Sequence, residues 1–153
     1  MTSGNSSRNV WRAALGCEMR IFYDTNVILD LLANRSGFAD DAEKAIDRAS
    51  RDGNRGLVSA LTVCDIVYIL RKSMSRVEVG RQIKALQDVL EIIDVTGKSV
   101  IDAFDVAMSD YEDAVQYLNA TAAKADVIVT RDKDGFAGAD IRVCTPREFL
   151  ENA

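Results

Sequence analysis

Short β-prone segments alternate with amphipathic helical patterns along most of this chain. The β-prone segments are 20–23, 56–59, 92–95, 125–130 and 141–144. Between them, apolar residues recur at helical spacing. Regular alternation of strands and helices is typical of parallel sheets, whose right-handed crossovers put helices on both faces. We therefore predict an α/β protein with three layers, α/β/α, around a mainly parallel sheet of about five strands.

The first residues of the chain differ in character from the rest. Residues 1–18 begin with a polar, turn-rich stretch and show no sustained periodicity. They do not resemble a secretory signal, because their apolar stretch is short and interrupted by Arg12. We predict a flexible extension over residues 1–18 and a single domain over residues 19–153. No apolar run approaches the roughly 20 residues that a membrane span needs.

Histidine is absent from the sequence, and this excludes much catalytic chemistry. Triads and dyads that rely on histidine, and histidine metal ligands, are impossible here. The net charge of −5 argues against non-specific binding of duplex DNA. The cysteines are few and far apart, with Cys64 and Cys144 expected in the core, and they indicate a reduced, cytoplasmic setting. Hydrolytic chemistry would therefore depend on carboxylates, hydroxyls, lysine or a metal ion.

Three aspartates fall near predicted strand ends. Asp24 ends the first predicted strand, Asp132 follows segment 125–130, and Asp113 lies in the first turn of the helix before that segment. Sites in open α/β sheets gather at the carboxyl ends of strands. Clustered carboxylates repel one another, and a divalent cation relieves that repulsion. Oxygen ligands suit Mg²⁺ or Mn²⁺, which can activate water for attack on a phosphodiester.

The same acids also have purely structural interpretations. Asp24 could cap the following helix through an Asx turn, and 132–135 could be an ordinary turn. Ser109 and Glu112 match a capping box, so Asp110 could simply be a first-turn acid that complements the helix dipole. The sequence alone leaves both interpretations open.

Several helices are predicted between Asp24 and Asp132, and two of them matter for the site. Helix 62–72 is expected to turn Val67 inward, and helix 99–108 is expected to turn Phe104 inward. Asp65 interrupts the apolar stretch of the first of these helices. An acidic residue within an apolar stretch is seldom buried without a partner, so we predict that Asp65 lies at the rim of a site.

The ordered set of these segments resembles the PIN-domain family, in particular the toxin-like ribonucleases of the VapC type. The matching segments are RIFYDTNVILDLL, SALTVCDIVYILRK, SDYEDAVQYLNATAAKADVIVTRDKDGF and RVCTPREFL. The resemblance implies a PIN-like, Rossmann-like fold and an endoribonuclease that uses Mg²⁺ or Mn²⁺. It also implies an RNA substrate, a cognate antitoxin protein and a homodimer.

The resemblance assigns roles to individual residues. Asp24, Asp113 and Asp132 match the metal ligands, and Asp65 matches a fourth catalytic position where the family commonly has glutamate. Further residues that could complete the site are Asn26, Asp110, Thr130 and Asp134. Candidates to contact RNA phosphates are Arg71, Lys72, Arg131 and Lys133.

Two other functions compete with this hypothesis. A PIN-like module could have lost activity and act only by binding a partner, since aspartate at position 65 reaches less far than glutamate. An aspartyl-phosphate phosphotransfer domain could use Asp24 as its nucleophile at the end of a strand. That second alternative normally needs another acid two residues later, where this chain has Asn26.

Overall fold

Five strands form one parallel sheet in the computed structural model, which describes residues 18–51 and 53–152. The strands are β1 Arg20–Tyr23, β2 Arg55–Ser59, β3 Leu90–Ile93, β4 Val127–Val129 and β5 Arg142–Cys144. The helices are α1 Thr25–Leu32, α2 Ala39–Arg51, α3 Ala60–Leu70, α4 Arg76–Leu86, α5 Gly97–Asp102, α6 Tyr111–Ala122 and α7 Pro146–Glu151. Short 3-10 turns occupy Ala103–Asp105 and Asp134–Phe136. The predicted flexible extension lies outside the described residues, apart from Glu18.

The strand order is β3-β2-β1-β4-β5, so the first strand of the chain is the central strand of the sheet. Every neighbouring pair is parallel, and β1 pairs with both β2 and β4. All five carboxyl ends therefore meet at one edge of the sheet, as the alternation of elements predicts. The order changes direction beside β1, which makes that edge the expected position for a site.

The core lies on both faces of the sheet. Ile21 and Tyr23 of β1 belong to a cluster that packs against α1, α2 and α3 on one face. Phe22, between them in sequence, packs with Ile128 and Ala120 of α6 on the other face. Successive strand side chains point to opposite faces, so a strand buried on both sides is apolar throughout. The predicted three-layer architecture is confirmed.

Helices begin directly at the carboxyl edge because polar residues there cap them. Asp24 caps α1, Ser59 caps α3 and Thr96 caps α5. Thr145 and Glu148 form a reciprocal capping box at the start of α7, where a proline occupies the first turn. The first turns of α1 and α3 consequently lie beside the carboxyl ends of β1 and β2.

Several local predictions were wrong. Helix α3 starts earlier than expected, and Val67 and Cys64 lie on its exposed side. The predicted helix 99–108 breaks into α5 and a 3-10 turn, which leaves Phe104 73% exposed and stacked on Tyr111 at 4.7 Å. In each case the spacing of the apolar residues correctly indicated a helix. The side of the helix that neighbouring elements bury is not the side that was predicted. Over the described ranges, no helix combines the length and apolar character needed to cross a membrane.

Candidate active site

Asp24 lies at the carboxyl end of β1 and is held by three hydrogen-bond donors. One carboxylate oxygen accepts a bond from the backbone N of Thr25 at 2.8 Å. The other accepts bonds from Thr130 Oγ1 at 2.8 Å and Asn26 Nδ2 at 3.2 Å. Asn26 Oδ1 also accepts a bond from Arg131 N at 3.2 Å, which ties α1 to the segment after β4. The orientation of this carboxylate is therefore fixed by the protein itself.

Burial raises the pKa of the Asp24 carboxyl above its ordinary value. Hydrogen bonds from Thr130 and from the backbone of Thr25 oppose this change, because they favour the charged form. The negative charges of Asp132 and Asp110 raise the pKa further. Asp24 thus interacts electrostatically with acids from two other parts of the chain.

The start of α6 brings two more acids to the same edge. Asp110 is the N-cap residue, and its side chain accepts a hydrogen bond from Asp113 N at 3.1 Å. The predicted capping box of Ser109 and Glu112 was therefore wrong by one residue, and Asp110 acts as a cap. Burial raises the pKa of Asp113 to about 6, with smaller contributions from the charges of Asp24, Asp110 and Asp132.

Asp132 approaches Asp113 across Gly135. Asp132 Oδ1 accepts a bond from Gly135 N at 3.2 Å, and Asp132 N donates to Thr130 Oγ1 at 3.0 Å. A Cβ added at Gly135 would collide with Asp113 Oδ2 and would lie 3.2 Å from Asp132 Oδ2. A larger residue at position 135 would therefore displace the Asp113 carboxylate from its place beside Asp132. We call Asp24, Asp110, Asp113 and Asp132 the acidic cleft.

A second carboxyl pair joins α3 to the start of α6, and only one of its two members, Asp65, was predicted from the sequence. A hydrogen bond with Asp65, followed by burial and the charge of Asp65, raises the pKa of Glu112 to about 7. Asp65 Oδ2 is buried and receives no hydrogen bond from the other described residues, so a protonated Glu112 is the group that can supply one. Glu112 directly precedes Asp113 in the first turn of α6, but its match to a capping box concealed this role.

Directly beneath the acidic cleft, four buried polar side chains satisfy one another. Gln116 Nε2 donates to Thr62 Oγ1 at 2.9 Å and to Thr25 Oγ1 at 3.2 Å, and its Oε1 accepts from Ser59 Oγ at 2.6 Å. Thr25 and Thr62 share a further hydrogen bond at 2.8 Å. We call this group the polar network. It joins the first turns of α1 and α3 to α6, three residues after Asp113.

The remaining predicted acid, Asp134, lies apart from this arrangement. It is exposed at the start of a 3-10 turn, and its negative charge acts on the neighbouring Lys133. Thr130 and Asn26, by contrast, contact Asp24 directly. Of the additional residues suggested by the sequence, the structure thus brings Asn26, Asp110 and Thr130 to the cleft.

The basic candidates for RNA contact are held in different ways. Arg131 forms an ion pair with the buried Asp30 at 2.6 Å. Lys133 pairs with Glu148 at 2.7 Å. Arg71 stacks on Tyr68 just beyond the end of α3. Because α3 starts at the carboxyl edge and extends about 1.5 Å per residue, Arg71 and its neighbour Lys72 lie on the order of 16 Å away from that edge.

The donor set of the acidic cleft suits a hard, hydrated cation better than a closed metal cage. Within residues 18–51 and 53–152, no three carboxylate or thiol groups converge closely enough to enclose an ion. Mg²⁺ keeps several waters and often uses only one or two carboxylates. Burial raises the pKa values of Asp24 and Asp113 most, and repulsion from the neighbouring acids, which such a cation would relieve, raises them further. The oxygen ligands and the space beside Gly135 therefore fit a divalent metal ion.

Solved structures with this fold include a toxin–antitoxin complex and a toxin. The chain is similar to "Toxin-antitoxin complex from Klebsiella pneumoniae", with a TM-score of 0.60, 20% identity, and coverage of 82% of this chain and 97% of that chain. It is similar to FitAcB from Neisseria gonorrhoeae, with a TM-score of 0.62, 18% identity, and coverage of 83% and 98%. It is also similar to VapC20 from Mycobacterium tuberculosis, described as a sarcin-ricin loop cleaving toxin, with a TM-score of 0.62, 18% identity, and coverage of 80% and 98%.

The comparison of sequences identifies the family. No curated protein matches the chain. A family model described as the PIN domain matches residues 20–134, a span that begins at β1 and ends just before Gly135. That span covers more than half of the chain and includes all the acids of the acidic cleft. On this match, supported by the shared fold, the chain belongs to the PIN-domain family.

Proposed function

We propose that this protein is a metal-dependent endoribonuclease and the toxin of a toxin–antitoxin pair. The observation that supports it most is the convergence of Asp24, Asp113 and Asp132, which are far apart in sequence. Asp113 and Asp132 meet beside Gly135. Burial, and then the charge of Asp132, raises the pKa of Asp24, while burial, and then the charges of Asp24 and Asp132, raises the pKa of Asp113. Membership of the PIN-domain family supports a nuclease. The proposal adds the metal, the RNA substrate and the partner.

In this proposal, Asp24, Asp113 and Asp132 would hold Mg²⁺ or Mn²⁺. The cation would supply Lewis acidity and a lowered pKa for water at the scissile phosphodiester. Thr130 and Asn26 keep Asp24 oriented, so little reorganisation is needed when charge changes at the site. Asp65 would help to position the attacking water or a second ion, with Glu112 as its neighbour.

The proposed partners follow from the resemblance and from the similar structures. The Klebsiella pneumoniae chain belongs to a toxin–antitoxin complex, and VapC20 is described as a sarcin-ricin loop cleaving toxin. We extend these properties to this chain as an antitoxin partner, an RNA substrate, a homodimer and a cytoplasmic location. Arg131 and Lys133 flank Asp132 in sequence and are the basic residues that we propose for contact with RNA beside the cleft.

The test is cleavage of total RNA by the purified full chain in Mg²⁺, in Mn²⁺ and in chelator. We expect discrete products with either metal and none in chelator. Asp113→Asn should lose more than about a hundredfold of the rate, because even the outer partners of metal ligands contribute roughly 10–100-fold. Lys98→Gln is the control, since Lys98 pairs with Asp102 on the exposed surface. Equal cleavage by wild type and Asp113→Asn would refute the proposed site.

A catalytically degenerate binding module is the second candidate. The open arrangement of the acids and the aspartate at position 65 favour it. Titration calorimetry with Mn²⁺ separates the two candidates, because a nuclease must bind the ion at the cleft. Asp65→Glu should keep or raise activity in the nuclease proposal. The phosphotransfer alternative is weaker, since three donors occupy the Asp24 carboxylate and only 6% of the residue is exposed.

A further inference from the structure

A groove of about 340 Å³ opens beside the acidic cleft. Its walls come from α1, from the segment that precedes α2, from the residue after Thr130 and from the start of α7. The residues that matter here are Asp30, Phe38, Asp41, Arg131, Thr145 and Arg147. The volume is at the lower end of the range for small-molecule sites, so it suits one small planar group and not a helix.

The groove is joined to the acidic cleft through Arg131. Arg131 directly precedes Asp132, and its backbone N donates to Asn26 Oδ1, while Asn26 contacts Asp24. Asp30, in the floor of the groove, lies one helical turn after Asn26 on α1. A ligand in the groove would therefore lie next to any phosphodiester bound at the acidic cleft.

The charges that line the groove are already compensated. The buried Asp30 carboxylate pairs with Arg131 at 2.6 Å, and Arg35 approaches it at 3.5 Å. Asp41 and Arg147 form a second pair at 3.1 Å. A phosphate would have to compete with these carboxylates for the arginines. The groove therefore favours a neutral group that offers both hydrogen-bond donors and acceptors.

One wall of the groove is a stacking surface. The Arg131 guanidinium lies over the Phe38 ring at 4.1 Å, and its ion pair with Asp30 holds it there. Phe38 is nevertheless 45% exposed, so part of its surface remains accessible to a ligand. Unstacked RNA bases are bound by aromatic rings and arginine planes of this kind. Beside this wall, the Arg147 side chain is 71% exposed and can donate to a base edge.

We propose that this groove binds one unstacked base of single-stranded RNA, next to the phosphodiester that is cut. The inference rests on the proposed ribonuclease function and adds a subsite to it. A nucleobase is planar and neutral, carries adjacent donors and acceptors, and so matches the stacking wall and the Asp41–Arg147 pair. A base bound in the groove would position the RNA strand across the acidic cleft and so determine which phosphodiester bond is cut.

The experiment measures affinity for a short, fluorescently labelled single-stranded RNA in chelator, so that cleavage does not interfere. Phe38→Ala and Phe38→Leu should each weaken binding roughly 5- to 150-fold, the usual effect of losing one base-stacking aromatic ring. Phe38→Tyr should bind like wild type. Tyr68→Ala is the matched control, because Tyr68 is an exposed aromatic residue on α3 that stacks with Arg71 outside the groove.

A scan of abasic nucleotides along the same RNA identifies the bound base. At one position, removal of the base should weaken binding to wild type and should have little further effect on Phe38→Leu. Unchanged affinity in Phe38→Ala and Phe38→Leu would overturn the inference. The groove would then be assigned to binding a side chain of a protein partner. A loss that is the same for intact and abasic RNA at every position would also overturn it.

Failure of this inference differs from failure of the proposed function. If wild type cleaves RNA with Mg²⁺ and the Phe38 variants keep its affinity and its cut sites, the base subsite is refuted while the nuclease stands. If wild type never cleaves but the abasic scan gives the expected pattern, the subsite stands on a protein that binds RNA without cutting it.

Discussion

The acidic cleft and the polar network lie next to each other at the same edge of the sheet, but they differ in how their polar groups interact. In the network, Gln116, Ser59, Thr62 and Thr25 satisfy one another and are almost completely buried. In the cleft, carboxylates face one another, and the pKa of Asp113 rises to about 6. This difference indicates that the polar network stabilises the fold, and that the fold remains stable despite the repulsion in the acidic cleft.

The same segments of the chain supply both regions. Thr25 follows Asp24 directly, and Gln116 lies one helical turn after Asp113. The network therefore fixes the spacing of α1, α3 and α6, and three of the four cleft acids lie at the starts of α1 and α6. The hydrogen bonds of the polar network stabilise the protein. They also hold in position the cleft carboxylates, whose mutual repulsion destabilises it.

Loss of the network should have the largest effect on stability. Gln116→Met removes three hydrogen bonds and leaves buried hydroxyls with fewer partners, so we expect a loss of about 2 kcal/mol in the free energy of unfolding. Urea denaturation measures it. Gln82→Met is the control, because Gln82 is a half-buried helical glutamine on α4 outside the network. Equal effects of the two substitutions would mean that the network has no special role.

Crowding of the cleft should reduce activity more than stability. In Gly135→Ala the new methyl group would displace Asp113 Oδ2, the end of a flexible side chain. We expect cleavage to fall roughly tenfold, equivalent to about 1.4 kcal/mol in the activation barrier, with a smaller change in stability. Gly80→Ala is the matched control, since an added Cβ there meets nothing within 4 Å. If Gly135→Ala cleaves at the wild-type rate, the space at this glycine is not needed for function.

Removal of one cleft charge should slightly stabilise the protein in the absence of metal. Asp113→Asn relieves repulsion from Asp24, Asp110 and Asp132, and we expect Tm to rise by about 2 °C at neutral pH. Mg²⁺ should raise the Tm of wild type more than that of the variant. Differential scanning calorimetry with and without Mg²⁺ gives both numbers. A clear drop in Tm for Asp113→Asn would show that its carboxylate stabilises the fold.

The pH dependence of stability is the smallest expected difference. The folded pKa of Asp113 is about 6 against an ordinary 3.8, so the folded state binds more protons between these values. Its contribution to stability should therefore increase as pH falls from about 6 towards 4, and decrease as pH rises. Wild type minus Asp113→Asn, measured by thermal unfolding across this window, isolates the effect. A difference that is constant with pH would show that Asp113 titrates normally in the folded state.

Much of the fold could be predicted because strong local signals agreed with it. The apolar run 125–130 and the short segment that ends at Asp24 are buried strands, and Thr145 with Pro146 starts a helix as expected. Errors arose where a helix has apolar residues on more than one side. Val67 and Phe104 were expected inside, but the sequence does not say which side a neighbouring element covers.

The site was only partly predictable for a different reason. Asp24 and Asp132 follow strands, and in a parallel sheet this suffices to predict that they lie at one edge. Gln116 and Glu112 had no such signal, because a polar residue on a helix is usually solvated. The only hint was spacing, since both lie within one turn of Asp113. Arg131 was expected to be available to phosphates, but the buried Asp30 that binds it could not be recognised as buried from its sequence neighbours.

The central position of β1 has a consequence for how the protein is made. Thr130 contacts Asp24 across 106 residues, and β1 lacks its β4 neighbour until that late segment is available. At roughly 5–20 residues per second, a ribosome needs about 5 to 20 s to bridge this interval. A growing polypeptide therefore cannot assemble the full set of cleft acids until the segment that follows β4 has been synthesised.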